Sequence, residues 1–188
     1  MKIAVSGSAC TGKTTLAQEL AQRLSLPYIP EYYDALFDPP GTYSESSLDV
    51  LVILFNKVLE KKHAEEERLG KFIVDRCPVD LMNLWLSRGL SRERKDSKVL
   101  YMRCAEYMQH YDYVIVPPWG SIPLRPLENP VGRQRRAMNP WVLLRNHATI
   151  LGLVRMWVPG RRVITLPRDL TSTEARIEFI LRRTGKAG

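Results

Sequence analysis

Near its N-terminus the chain reads Gly7-Ser8-Ala9-Cys10-Thr11-Gly12-Lys13-Thr14, which has the spacing Gly-x4-Gly-Lys-Thr. An apolar segment, residues 2–6, precedes this stretch, and an amphipathic segment, residues 13–24, follows it. Glycines at both ends let the backbone turn so that its amide groups converge on phosphate oxygens. The positive end of the following helix dipole points at the same anion. The pattern therefore predicts a strand, a phosphate-binding loop and a helix, in that order.

Two side chains at the end of this loop have distinct predicted tasks. The ammonium group of Lys13 can reach the outer phosphates of a nucleotide, and the hydroxyl of Thr14 can ligate Mg²⁺. ATP and Mg²⁺ are accordingly the cofactors that the sequence predicts. We expect the nucleotide to contact the whole loop and the residue after it: Gly7, Ser8, Ala9, Cys10, Thr11, Gly12, Lys13, Thr14 and Thr15.

The rest of the chain alternates between strand-like and helix-like segments. Mostly apolar strands are predicted at residues 2–6, 26–30, 72–75, 112–116 and 162–166, and helices at 13–24, 44–69, 78–87, 98–110, 139–157 and from 171 onwards. Strands that are apolar along their whole length are typical of a parallel sheet with helices on both faces. The 188 residues fit one domain, residues 1–188, so we expect an α/β fold with a five-stranded parallel sheet.

A carboxylate and an arginine follow the third predicted strand. Asp75 ends the apolar run that starts at Phe72, and Arg76 comes next. Such an Asp can hold Mg²⁺ directly or through water, although it can also cap the next turn. Arg76 is expected at the carboxyl edge of the sheet, where ligands bind in such folds. Asp80, a few residues on, has a helix-dipole role at least as readily as a catalytic one.

Glu31 follows the second predicted strand. A carboxylate at that place would lie beside the phosphate-binding loop, where it could accept a proton from an attacking hydroxyl or orient it. Asp34 and Asp38 are rivals for this task, and a solvated loop acid remains the alternative for all three.

A long proline-rich segment, residues 117–140, contains four arginines. Long loops in compact domains are often binding elements, and guanidinium groups suit phosphate geometry. We therefore expect a lid that stabilises charge on a transferring phosphoryl group. A solvated basic loop or a contact with nucleic acid is the alternative. The four residues are Arg125, Arg133, Arg135 and Arg136.

Composition limits the class of protein. Lys and Arg number 28 against 20 for Asp and Glu, which gives a net charge of +8. This excess fits phosphate handling, and it also fits nucleic acid as a partner. The three cysteines lack metal-ligand spacing, and no apolar run approaches the length of a membrane span, so we expect a reducing, cytoplasmic location. The three histidines are predicted to be structural or exposed: His63, His110 and His147.

Three of these features together resemble the P-loop kinase superfamily: the loop at residues 7–14, Glu31 after strand two, and Asp75-Arg76-Cys-Pro-Val-Asp80. The most similar subgroup is that of the small AAA-family ATP-binding proteins related to the kinase domain of NadR. The resemblance implies that the Asp75 strand lies beside the loop strand. It also implies that Glu31 receives the proton of the acceptor hydroxyl, and that Asp75 and Arg76 serve magnesium and substrate phosphates.

The same resemblance assigns two further contacts and reveals one departure. Gly132-Arg133 matches a lid element, so Arg133 joins Lys13, Glu31, Asp75 and Arg76 as a predicted catalytic residue. The turn at residues 167–170, which includes Arg168, matches the region that touches adenine through backbone groups. Relatives often carry an arginine three positions beyond the strand-two glutamate, whereas this chain has Asp34.

The sequence thus predicts a Mg²⁺- and ATP-dependent phosphotransferase that acts on a small acceptor, for which we expect a nucleoside. Three alternatives remain open: a mononucleotide kinase, a polynucleotide 5′-kinase, and a slow ATP- or GTP-hydrolysing switch that binds a partner, RNA or acidic lipid. The oligomeric state and the choice between ATP and GTP are not determined by these patterns.

Overall fold

The computed structural model describes residues 1–36, 48–90, 94–123 and 139–186. Five parallel strands form one sheet in the order β2-β3-β1-β4-β5. The prediction of a five-stranded parallel sheet is therefore confirmed, as is the position of the Asp75 strand beside the loop strand. The strands are β1 (Lys2–Val5), β2 (Tyr28–Ile29), β3 (Phe72–Asp75), β4 (Tyr113–Val116) and β5 (Val163–Thr165).

Six α-helices connect and follow these strands within the described residues. None of them is long and apolar enough to cross a membrane. The helices are α1 (Lys13–Leu24), α2 (Leu48–Leu69), α3 (Pro78–Ser87), α4 (Arg94–Tyr107), α5 (Pro140–Trp157) and α6 (Thr173–Arg183).

Several predicted boundaries differ from the observed ones, among them those of β2, α4 and the last helix. Strand β2 is only two residues long, because Pro27 and Pro30 flank it and cannot donate to a strand ladder. Helix α4 begins at Arg94 rather than at residue 98, since its first turn is charged and lacks the apolar period used for the prediction. The last helix begins at Thr173 rather than at residue 171, and it is capped by Ser172, whose side chain accepts a hydrogen bond from the Ala175 amide.

The sheet separates two apolar cores because successive residues of each strand face opposite sides. One core contains Ala4, Val74 and Val114 together with side chains of α2, α3, α4 and α5. The other contains Ile3, Ile73 and Ile115 together with side chains of α1 and α6. Helices therefore cover both faces of the sheet, as predicted.

The central strand β1 marks the point at which the strand order reverses. Strands β3 and β2 lie on one side of it, and β4 and β5 lie on the other. Connections leave in opposite directions at such a point, so a crevice opens at the carboxyl ends of the strands. The loop at residues 7–14 follows β1 directly and lies in this crevice.

One arginine links the last helix to that loop. Arg176, in α6, is only 2% exposed, and its guanidinium makes three hydrogen bonds. It donates to the carbonyl of Thr11 at 3.0 Å, to the hydroxyl of Ser121 at 2.7 Å and to the carbonyl of Leu170 at 2.8 Å. Three segments that are distant in sequence are thereby joined at one buried cation.

Replacement of Arg176 by Met is expected to lower the free energy of unfolding by about 2 kcal/mol, because it leaves two carbonyls and a hydroxyl in the interior without a donor. Urea unfolding of the ligand-free protein measures this. The matched control is Arg182→Met on the same helix, where the guanidinium is 63% exposed and 3.9 Å from Glu178; it is expected to change stability by no more than about 0.5 kcal/mol. Equal effects of the two substitutions would contradict the role given to Arg176.

Candidate active site

The loop at residues 7–14 depends on backbone conformations that favour glycine. Gly7 and Gly12 have φ angles of +149° and +78°. A Cβ atom at Gly12 would also lie 2.9 Å from the side chain of Ile122 and 3.3 Å from the Arg176 guanidinium. Cys10 adopts a positive φ of 62° without being a glycine, a conformation that costs about 1 kcal/mol or more and is concentrated at ligand sites.

Lys13 lies inside the loop that precedes it. The side chain is 5% exposed, and its Nζ donates to the carbonyl of Ser8 at 2.6 Å. Burial, together with the positive charge of Arg76, lowers the pKa of Lys13 to about 8, and Asp80, Asp75 and Glu31 oppose this shift. The ammonium group is thus held where an anion in the loop would meet it.

Thr14 and Asp75 meet across the junction of β1 and β3. The Thr14 hydroxyl donates to Oδ2 of Asp75 at 2.6 Å. The other oxygen, Oδ1, is buried and has no hydrogen-bond partner among the described residues. An orphaned carboxylate oxygen beside a hydroxyl is a donor set that suits Mg²⁺, which prefers one or two carboxylates together with substrate phosphates. These two residues therefore fit the metal predicted from the sequence.

Arg76 occupies a strained position directly after β3. Its φ is +65°, and its amide is held by the carbonyl of Val5 at 2.9 Å. The guanidinium forms ion pairs with Glu31 at 2.7 Å and with Asp80 at 3.1 Å. Burial would lower the pKa of Arg76, but the two carboxylates outweigh it and raise the pKa above its usual value. Glu31, predicted from a different strand, is thereby brought to the same edge of the sheet.

Asp80 joins the ends of β1 and β3 instead of facing open solvent. Its Oδ2 accepts from the Ser6 hydroxyl at 2.7 Å and from the Cys77 amide at 3.0 Å. Its Oδ1 accepts from the Gly7 amide at 3.3 Å and from Arg76. The residue is also the N3 member of a capping box at the start of α3. The sequence left a helix-dipole role and a catalytic role open for Asp80, and these contacts support a structural role at the start of α3.

A buried polar network supports the same junction from α2, and the sequence prediction missed it. Lys62, 2% exposed, donates to the carbonyl of Asp75 at 3.0 Å. Burial lowers its pKa, and Glu66 opposes this. Burial raises the pKa of Glu66 to about 7, and the Tyr111 hydroxyl donates to that carboxyl group at 2.8 Å. The sequence did contain a sign that these two residues are buried, because residues 62 and 66 continue the helical spacing of the buried Phe55 and Leu59.

The remaining predicted residues are dispersed. Thr15 lies at the surface at the start of α1. Arg168 is exposed, and its guanidinium lies beside Gly120. Most of the predicted lid, residues 124–138, lies outside the described residues, together with Arg133 and the other three arginines, and so does Asp38. Within the part of the chain that the structure describes, no group of three or more His, Cys, Asp or Glu residues could hold a metal ion.

Comparison with known proteins identifies the family and the fold. A model of the AAA domain family matches residues 2–143. No curated protein matches the chain significantly.

Many solved structures are similar, including the following three. NadR in complex with NR is 18% identical with a TM-score of 0.70; the match covers 98% of this chain and 51% of that one, so the chain spans about half the length of NadR. Deoxyadenosine kinase from M. mycoides with bound dCTP is 13% identical with a TM-score of 0.67 and matches over 100% of both chains. Thymidylate kinase from Ehrlichia chaffeensis is 14% identical with a TM-score of 0.59 and matches over 97% of both. The chain therefore belongs to the AAA domain family, and its fold is that of the P-loop kinases related to NadR.

Proposed function

We propose that the protein transfers the γ-phosphoryl group of ATP to a hydroxyl group of a nucleoside. The observation that carries this proposal is the meeting of three elements at one edge of the sheet: Lys13 in the loop, the Thr14–Asp75 pair, and the Glu31–Arg76 pair. The first two suit a nucleoside triphosphate with its metal. The third suits an acceptor.

On the nucleotide side, the loop amides and Lys13 bind the phosphates. When bound at Thr14 and Asp75, Mg²⁺ would neutralise charge on the phosphate oxygens and help to position them. Phosphoryl transfer needs little covalent chemistry from a protein, because positioning and electrostatic stabilisation suffice. The buried position of Lys13 supports this, since a cation shielded from water interacts more strongly with an anion.

On the acceptor side, Glu31 is connected to the loop region through its ion pair with Arg76. Its carboxylate is 20% exposed and 2.7 Å from Nε of Arg76, so it is both oriented and open to a ligand. In the proposed step the acceptor oxygen bonds to the γ-phosphorus, the bond from that phosphorus to the β–γ bridging oxygen breaks, and the hydroxyl proton passes to Glu31. Arg76 holds Glu31 in place and contributes positive charge next to the reacting group.

The choice of a nucleoside is supported by the fold comparisons. NadR was solved with NR, and deoxyadenosine kinase and thymidylate kinase share the fold. A nucleotide acceptor needs an additional cation for its own phosphate. Arg76, the arginine observed next to Glu31, is already engaged by two carboxylates. This favours an acceptor that carries no phosphate group over a mononucleotide.

The acceptor is tested by a transfer screen with labelled ATP. Nucleosides, including nicotinamide riboside, are expected to become labelled, and mononucleotides and 5′-hydroxyl oligonucleotides are not. If only mononucleotides or only oligonucleotides became labelled, the proposed nucleoside acceptor would be wrong and the labelled class would be the acceptor. Hydrolysis without transfer to any acceptor would instead favour a nucleotide-dependent switch.

Substitution of Lys13 by Ala is expected to abolish measurable ATP binding, because the loop loses the cation that faces the outer phosphates. Displacement of a fluorescent ATP analogue measures this. Lys71→Ala is the matched control: it removes the same charge at the exposed amino end of β3 and is expected to leave ATP affinity unchanged. Retained ATP affinity in the Lys13 variant would refute the assignment of the loop.

Substitution of Glu31 by Gln is expected to lower kcat about a hundredfold or more, because an amide cannot accept the hydroxyl proton. ATP affinity is expected to remain close to that of the wild-type protein. Glu67→Gln, a change of the same type at a side chain 63% exposed on α2, serves as the control in the steady-state assay. A wild-type rate in the Glu31 variant would remove this residue from the mechanism.

A further inference from the structure

Tyr33 joins the segment that carries Glu31 to the turn that carries Arg76. It lies two residues after Glu31, at the start of a short 3₁₀ helix (Tyr33–Leu36). Its hydroxyl donates to the carbonyl of Cys77 at 2.7 Å, and Cys77 follows Arg76 directly. The ion pair between Glu31 and Arg76, at 2.7 Å, therefore has a second link beside it that joins the same two segments.

The hydroxyl of Tyr33 acts on the protein and not on a ligand. Tyr33 is 2% exposed, so its hydroxyl is shielded from a molecule bound in the crevice. Burial, and after it the negative charge of Asp80, raises the pKa of Tyr33 well above its usual value. The hydroxyl therefore keeps its proton at neutral pH and remains a donor to the Cys77 carbonyl.

Lys62 holds the same turn from helix α2. Its Nζ donates to the carbonyl of Asp75 at 3.0 Å and lies 5.7 Å from the centroid of the Tyr33 ring, within the range of a cation–π contact. The carbonyls of Asp75 and Cys77, on the two sides of Arg76, are thus bound by two side chains that lie against each other. Arg76 has a φ of +65°, a conformation that persists only where the surroundings determine it.

Tyr32 anchors the Glu31 segment on the same helix. Its hydroxyl donates to the carboxylate of Glu65, and Nζ of Lys62 lies 5.7 Å from the centroid of its ring. The two tyrosines that follow Glu31 therefore pack against one turn of α2, and Lys62 on that turn binds the residue before Arg76. Helix α2 is the common support of both members of the Glu31–Arg76 pair.

We propose that Tyr33 is a positioning residue for phosphoryl transfer, because its hydrogen bond to Cys77 sets the position of Glu31 relative to Arg76. This inference rests on the proposed function, since it requires Glu31 to accept the proton of the acceptor hydroxyl. The Cys77 carbonyl also accepts from the Asp80 amide at 2.9 Å. The Tyr33 hydroxyl is therefore not needed to pair that carbonyl, and its contribution is the link between the two segments.

The test removes only the hydroxyl of Tyr33. Tyr33→Phe keeps the ring in the core and leaves the Cys77 carbonyl its bond from Asp80, so the variant is expected to fold. It is expected to lower kcat for transfer to a nucleoside about tenfold, because a displaced base is no longer aligned with the acceptor hydroxyl. ATP affinity is expected to remain unchanged, because Lys13 and the loop keep their contacts. Steady-state transfer from labelled ATP and displacement of a fluorescent ATP analogue measure the two properties.

The same substitution in a Glu31→Gln background separates positioning from stability. Without a proton acceptor at that residue, loss of the Tyr33 hydroxyl has no base left to displace and is expected to lower kcat no further. A merely structural role would lower kcat by the same factor in both backgrounds. Ser97→Ala is the matched control: it removes a hydroxyl that accepts from Nε1 of Trp85 at 2.9 Å, between α3 and α4. This control is expected to lower the unfolding temperature without changing kcat.

Three results would overturn the inference: a wild-type kcat in Tyr33→Phe, an equal loss of kcat in the wild-type and Glu31→Gln backgrounds, or a loss confined to ATP affinity. Failure of the proposed function is recognised separately. In that case the wild-type protein would label no nucleoside, or Glu31→Gln alone would transfer at the wild-type rate.

Discussion

The geometry of the site depends on the hydrogen bonds that the carboxylate of Asp80 accepts. It accepts hydrogen bonds from four groups at the ends of two adjacent strands: Ser6 and Gly7 after β1, and Arg76 and Cys77 after β3. Four donors around one buried carboxylate compensate for removing its charge from water. The loop at residues 7–14 and the turn at Asp75 and Arg76 are consequently held in a single relative position. In this position the Thr14 hydroxyl lies 2.6 Å from Oδ2 of Asp75.

The strained turn at Arg76 persists because contacts surround it on every side. Its amide is bound by Val5, the preceding carbonyl is bound by Lys62, and its guanidinium is bound by Glu31 and Asp80. A left-handed residue is unfavourable by about 1–3 kcal/mol unless its surroundings determine it. Here the left-handed backbone directs the guanidinium towards the loop and away from the solvent, so that Arg76 pairs with both Glu31 and Asp80 at the same place.

Much of the fold could be predicted because its signals are local. The alternation of apolar strands and amphipathic helices indicated the parallel sheet, and the spacing of residues 7–14 indicated the loop. The predicted ends of some elements were wrong where the local pattern is weak, as at the charged first turn of α4. The polar interior was missed for a different reason. Lys62 and Glu66 share a helix face with Phe55 and Leu59, but their charges gave no local sign of burial, and only the tertiary packing of α2 buries them.

By itself the sequence determined the order of the elements, the phosphate-binding loop and the Asp75-Arg76 pair, since each of these is specified by residues within a few positions of one another. Tertiary structure alone decided which distant side chains complete the site. Arg176 reaches Thr11 across 165 residues, and Glu31 meets Arg76 from another strand. The physical reason is that pairings of this kind depend on the register of helices packed on a twisted sheet, and no local spacing encodes that register.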